Sequence, residues 1–255
     1  MSVWIDECAH ALFVGTALGT WRALETLELV RLLEAPRPGN LRPARFGEEL
    51  ALIGSVPLPM AEECLARTRA RLVEEVESSG ARMHPSGRNP ARRSGSVPSS
   101  PAASALLRSV ALGRGWCVRG EDGLEIDPEG AGGLVLRAGP ESEGVAIRAD
   151  AGAPRLAPGA EVALVLAVAA LGLNARLTAA RLRVLDAAQL DFAAECVLPP
   201  DPREDDVELA LDGVLHAARE ARRSLAVLAH PAVAREYAAA LELPLRVEAM
   251  KGDER

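Results

Sequence analysis

Between Arg181 and Leu198 the chain alternates. Leu182 and Val184 fall on one side, and Arg181 and Arg183 on the other. Leu190, Phe192, Ala194, Cys196 and Leu198 then share a side, with Asp191 and Glu195 opposite. A period of two predicts two strands of a hairpin. Pairing Leu182 with Phe192 and Val184 with Leu190 leaves a loop through Asp186, Ala187 and Ala188. It also sets Arg183 opposite Asp191. One face of this hairpin is expected to be buried and the other wet.

The period changes to that of a helix in "EDDVELALDGVLHAAREARRSLAVLAH". Val207, Leu211, Val214, Leu215, Ala218, Leu225 and Leu228 form one stripe, which should cover the apolar face of the sheet. Asp205 and Asp206 sit at its positive end, and Arg222 and Arg223 lie toward the negative end. Upstream, "AEVALVLAVAALGLN" is apolar on every side and reads as a buried helix. Before it come short strand-like runs, "GWCVRG", "LEID", "LVLRA" and "VAIRAD", separated by Gly, Pro and acidic turns. A short helix opens this part, with Ser104 as its expected N-cap. The fold class is therefore α+β: a twisted antiparallel sheet with helices on one side, in the order α-βββ-α-ββ-α, over residues 104–245. Residues 246–255 are read as a tail.

Residues 1–78 read as a helical region. "MSVWIDECAHALFVGTALG" is taken as a helix. "TWRALETLELVRLLEA" is taken as another, capped by Thr20 and stopped by the breakers Pro36 to Asn40. "PMAEECLARTRARLVEEVESSG" is a third, with Glu62 and Glu63 in its first turn and a thin stripe of Leu65, Leu72, Val73 and Val76. Residues 79–103, rich in Ser, Pro, Gly and Arg, are expected to form a flexible linker.

Composition narrows the function. The 255 residues carry a net charge of -7, which argues against the basic face a nucleic-acid partner requires. Lys251 is the one lysine among 29 basic residues, a bias of codon usage rather than of binding. Cys8, Cys64, Cys117 and Cys196 make no CxxC pair, which points to a reducing compartment. Val162–Leu173, the longest charge-free apolar run, is too short to span a membrane, and no signal peptide is read at the start. The expectation is a cytoplasmic protein without nucleic-acid or membrane partners.

Chemistry is sparse. No phosphate loop, zinc-protease string or nucleophile elbow is present. His216 reads as an exposed helix residue, and His84 and His230 each precede proline. A nucleophile pair of Cys117 with His216 is disfavoured, because Cys117 lies in an alternating strand and should pack as core. Glu204 to Asp206 are explained by the helix start, and Trp116 reads either as a core anchor or as a recognition aromatic. No catalytic, cofactor-binding or metal-ligating residue is assigned, and no enzyme activity is expected.

The stretches "LRSVALGRGWCVRGEDGLEID" and "VLAVAALGLNARLTAARLRVLDAAQLDFAAECVL", with the closing amphipathic helix, resemble the type III secretion chaperone-like fold, which also contains YbjN-like proteins. The resemblance covers about residues 104–230. It implies a small, acidic, cytosolic protein that dimerises and holds an unfolded segment of a partner protein. This chain differs in its long N-terminal region and its central linker. The reading is a non-enzymatic chaperone or adaptor that binds another protein, with a homodimer possible. The alternative is a structural or regulatory subunit of a larger assembly that docks through its N-terminal helices. The expected partner-binding residues are Arg181, Arg183, Asp191 and Glu195 on the wet face, with Leu185 and Val227 supplying apolar contact.

Overall fold

The structure, a computed structural model, describes residues 3–8, 11–35, 37, 40–57, 61–80, 101–121, 123–141, 144–152 and 159–243. Two antiparallel sheets are present. The first contains β1 (Val3–Cys8), β2 (Ala11–Thr20), β3 (Arg42–Phe46) and β4 (Glu49–Pro57), in the order β1-β2-β4-β3. Between its hairpins runs α1 (Thr26–Glu34), and after it α2 (Ala61–Gly80). The second sheet contains β5 (Cys117–Arg119), β6 (Leu124–Asp127), β7 (Leu136–Glu141), β8 (Gly144–Asp150), β9 (Arg181–Asp186) and β10 (Asp191–Leu198), in the order β5-β6-β7-β8-β10-β9. Its helices are α3 (Pro101–Gly113), α4 (Ala160–Asn174), α5 (Glu204–Leu228) and α6 (Pro231–Ala240).

The C-terminal part follows the expected α+β plan: the four strand-like runs before α4 all form strands, and α6 is added at the end. Helix α5 starts with Asp206 accepting a hydrogen bond from the Arg203 amide at 2.9 Å, and its apolar stripe covers β8 and β10. Phe192 and Leu211 are both fully buried in that core. Helix α4, apolar all round, is buried by α1, α5 and α6. Helix α3 begins at Pro101, so Ser104 lies inside its first turn and is not the cap.

The N-terminal region is not all helical. Val3–Cys8 and Ala11–Thr20 form a hairpin where a helix was expected, and residues 42–57 form a second one. Neighbouring strands override the modest β-propensity of Ala, Leu and Gly here. Thr20 ends a strand. Helix α1 begins instead after Glu25, whose amide donates to Glu28 Oε2 at 2.7 Å, a capping arrangement. Helix α2 lies across β2 and β4, where Leu72 packs with Val14, Leu41 and Leu52. Gly54 lets it come close, since a Cβ there would stand 2.5 Å from Thr68 Cγ2. The linker expected over residues 79–103 is trimmed at both ends by α2 and α3, and 81–100 lie outside the described residues, as does the tail.

A repeat runs through these elements. The order β1-β2-α1-β3-β4-α2 recurs as β7-β8-α4-β9-β10-α5, and the sheet order β1-β2-β4-β3 recurs as β7-β8-β10-β9. The registers agree as well. Val3 opposite Thr16 through Cys8 opposite Ala11 matches Leu136 opposite Ala149 through Glu141 opposite Gly144. The rung Trp4, Gly15, Ile53, Arg42 in the first unit has its counterpart in Arg137, Arg148, Glu195, Arg181 in the second. Among the described residues α3, β5 and β6 precede the second unit.

Candidate functional site: the buried polar junction between the two units

The two units meet reciprocally. Helix α1 packs on β9, α4 packs on β3, and α1 packs on α4. This is the pattern of a two-fold, self-complementary interface, made here within one chain. Ala44 and Ala51, both small, and Ile53 on the first sheet receive Ala175 at the end of α4.

Two arginines cross the junction. Arg42, the first residue of β3, is fully buried. Its Nε donates to the Asn174 carbonyl at 2.8 Å, its Nη1 to Ser55 Oγ at 3.1 Å and its Nη2 to the Leu177 carbonyl. A cation at the end of α4 also meets the negative end of the helix dipole. Burial, and then Arg181 nearby, pull Arg42 down to about 9, so it still carries its charge at neutral pH. Arg181, the first residue of β9, donates from Nη1 to the carbonyls of Arg37 at 2.8 Å and Leu41 at 2.9 Å.

Asn174 joins the two strand edges. Its amide nitrogen donates to the carbonyls of Pro43 in β3 at 3.0 Å and Leu182 in β9 at 3.1 Å. Its oxygen accepts from the Leu182 amide at 2.7 Å. Both inner sheet edges, β3 and β9, are thereby turned to the junction rather than to solvent.

Glu195 is the charge centre. It is fully buried and receives Arg181 through Nε at 3.0 Å, Arg148 Nε at 2.5 Å and Arg183 Nη1 at 3.2 Å. Burial pushes its carboxyl up. Arg181, Arg148 and Arg183 overcome that and hold it at about 2. Arg148 is shared with Glu141, and Arg37 pairs with Glu75 of α2 at 2.7 Å. Cys196 beside the cluster is pushed up to about 12 by burial and bonds Asn40 Oδ1 at 3.4 Å, which makes it an inert thiol.

The expected wet face of the hairpin is therefore corrected. Arg181 and Glu195 are buried, with Arg181 held on the Arg37 and Leu41 carbonyls of the same chain, and Arg183 is half-buried with Nε on the Glu34 carbonyl at 3.2 Å. The parity of the alternation is as expected, but the register slides. Phe192 faces Val184, Ala194 faces Leu182, and Arg183 faces Ala193 rather than Asp191. The slide follows from a longer turn with a bulge at Asp191/Phe192 and Leu190 at φ 49. Asp191 is half-buried, while Leu185 on β9 and Val227 on α5 are exposed as expected.

The outer part of the same sheet face is open. Arg119, Glu125, Arg137, Arg148, Glu195 and Arg181 form one rung of charges across all six strands, exposed at β5 and sealed at β9. Cys117 is exposed on this face and is not core. His216 is exposed on α5, on the sheet's other side, so the two are kept apart. Trp116 is half-buried against the core, with the Arg114 guanidinium 5.1 Å from its ring. Among the described residues no group of His, Cys, Asp or Glu could hold a metal ion, and no helix is long and apolar enough to cross a membrane.

Comparison with protein-family models, curated proteins and solved structures gave no match. The junction is what the geometry offers. Alternation could reveal the charged face of the hairpin; it carried no signal for Arg42 and Asn174, which lie at the ends of a strand and a helix and gain meaning only when the units meet.

Proposed function

We propose that this protein is a non-enzymatic protein-binding module, a chaperone or adaptor that holds an extended segment of a partner polypeptide in the cytoplasm. The observation that carries the reading is the unequal treatment of the four sheet edges. The chain closes β3 and β9 against each other through Asn174 and ends its sheets at β1 and β5. A strand edge outside a junction is a template for another chain's backbone. The most strongly shifted groups, Glu195, Arg42 and Cys196, are sealed inside the junction, where no substrate reaches them. Exposed Leu27, Phe46, Leu112, Leu185, Leu209 and Val227 add apolar contact.

The order α3, β5 to β8, α4, β9 and β10, α5 supports the likeness to the type III secretion chaperone-like fold. The N-terminal region docks, but on the chain's own second unit. It occupies the hairpin face that was read as the docking face for a partner or a second copy, so a homodimer through that face is not part of this proposal.

Panning a random peptide library on the immobilised full-length protein tests the reading. Enrichment of segments with alternating apolar positions is expected. Enrichment no greater than on an unrelated acidic protein would remove it.

A further inference from the structure

We infer that the outer edge of β1 accepts a partner segment as an added antiparallel strand, a proposal that rests on the protein-binding reading above. The second unit supplies the template. Strand β7 corresponds to β1 residue for residue in its pairing with the next strand. On its other side β7 carries β6, with Leu124 opposite Ala138, Glu125 opposite Arg137 and Ile126 opposite Leu136. In the first unit the described residues place no strand there, and β1 ends the sheet.

Register then specifies the occupant. Its residues in the places of Leu124, Glu125 and Ile126 fall opposite Ile5, Trp4 and Val3. In the second unit Leu124 and Ile126 are buried while Glu125 and Asp127 are exposed. The segment should therefore read apolar, polar, apolar. The two residues before the first apolar one fall opposite Asp6 and Glu7, so basic residues fit there. The chain's net charge of -7 favours approach of such a basic segment. Main-chain hydrogen bonds supply affinity, and the alternate side chains supply selectivity.

The probe is a synthetic peptide with the sequence KRLEID, the β6 strand preceded by two basic residues. Hydrogen exchange of the full-length protein is read with and without it. Saturating peptide should slow exchange over Val3–Ile5 by about tenfold, with smaller changes elsewhere. Trp4→Pro and Ile5→Pro form a matched pair, because neighbouring residues of a strand aim their amides to opposite sides. The variant that keeps the wild-type melting temperature has lost an outward amide, and it should also lose the peptide. Binding retained by that variant would overturn the inference, as would protection centred on β5 or on the charged rung. If library peptides bind but protect a site other than β1, the inference fails and the protein-binding reading stands. If no peptide binds, both fail.

Discussion

Arg42 and Arg181 open corresponding strands, β3 and β9, and each reaches across to backbone carbonyls of the segment leading into the other's strand. Arg42 holds Asn174 and Leu177; Arg181 holds Arg37 and Leu41. The exchange gives the N-terminal unit a packing partner within the molecule. Its partner is the other half of the chain.

Glu195→Gln keeps the shape of the side chain and removes its charge. Arg181 is then left buried without its carboxylate, a change that costs about 3–5 kcal/mol for a buried pair. Urea unfolding of the full-length variant measures it. A loss below about 1 kcal/mol, the range of a surface pair, would mean that solvent reaches the cluster.

The same carboxylate sets an acid dependence. Its folded-state pKa, about 2, lies below its ordinary value of 4.5. A depressed acid contributes stability that is full above pH 4.5 and is lost as pH falls through 2. Linkage puts the loss on the order of 3 kcal/mol. Wild type should therefore weaken more steeply than Glu195→Gln between those two pH values. Parallel curves of unfolding free energy against pH would contradict the assignment.

Asn174→Leu fills similar space without its hydrogen bonds. The Leu182 amide and carbonyl and the Pro43 carbonyl lose their partner, at about 1–3 kcal/mol for each group left unsatisfied. Thermal melting should drop well beyond the shift of a surface change such as Glu220→Gln. An equal melting temperature would show that both edges find other partners.

The two described free cysteines should differ in reactivity. Maleimide labelling of the native protein, mapped by peptide mass, should modify exposed Cys117 and spare Cys196, whose thiol burial pushes up to about 12. Labelling of Cys196 at the rate of Cys117 would mean that the junction opens readily.

Phe192 illustrates what the sequence made legible. Alternation placed it with Ala194 and Cys196 on the apolar side, and the structure buries it under α5. The same alternation put Arg181 and Glu195 together on the other side, which is also correct. It could not say that Glu34, Arg37 and Leu41 lie against that side, because periodicity reports which residues share a face and not what lies over it. The strands Val3–Cys8, Ala11–Thr20, Arg42–Phe46 and Glu49–Pro57 were hidden for a related reason. Ala17, Gly15 and Ala51 have weak strand preference, and their pairing is fixed by long-range contacts. The repeat was masked because the matched positions are seldom identical: Ala51 and Ala193, Pro57 and Pro199, and Glu62 and Glu204 are among the few that are.

The central claim is that the two units form one cooperative body through the crossed arginines. Hydrogen exchange by mass spectrometry on wild type and Arg42→Met tests it most directly. Arg42 belongs to the first unit, but two of its acceptors, the Asn174 and Leu177 carbonyls, are in the second. Loss of these hydrogen bonds should lower the opening free energy by about 1–3 kcal/mol in β9 and β10 as much as in β3 and β4. Faster exchange confined to β3 and β4, with β9 and β10 unchanged, would contradict it.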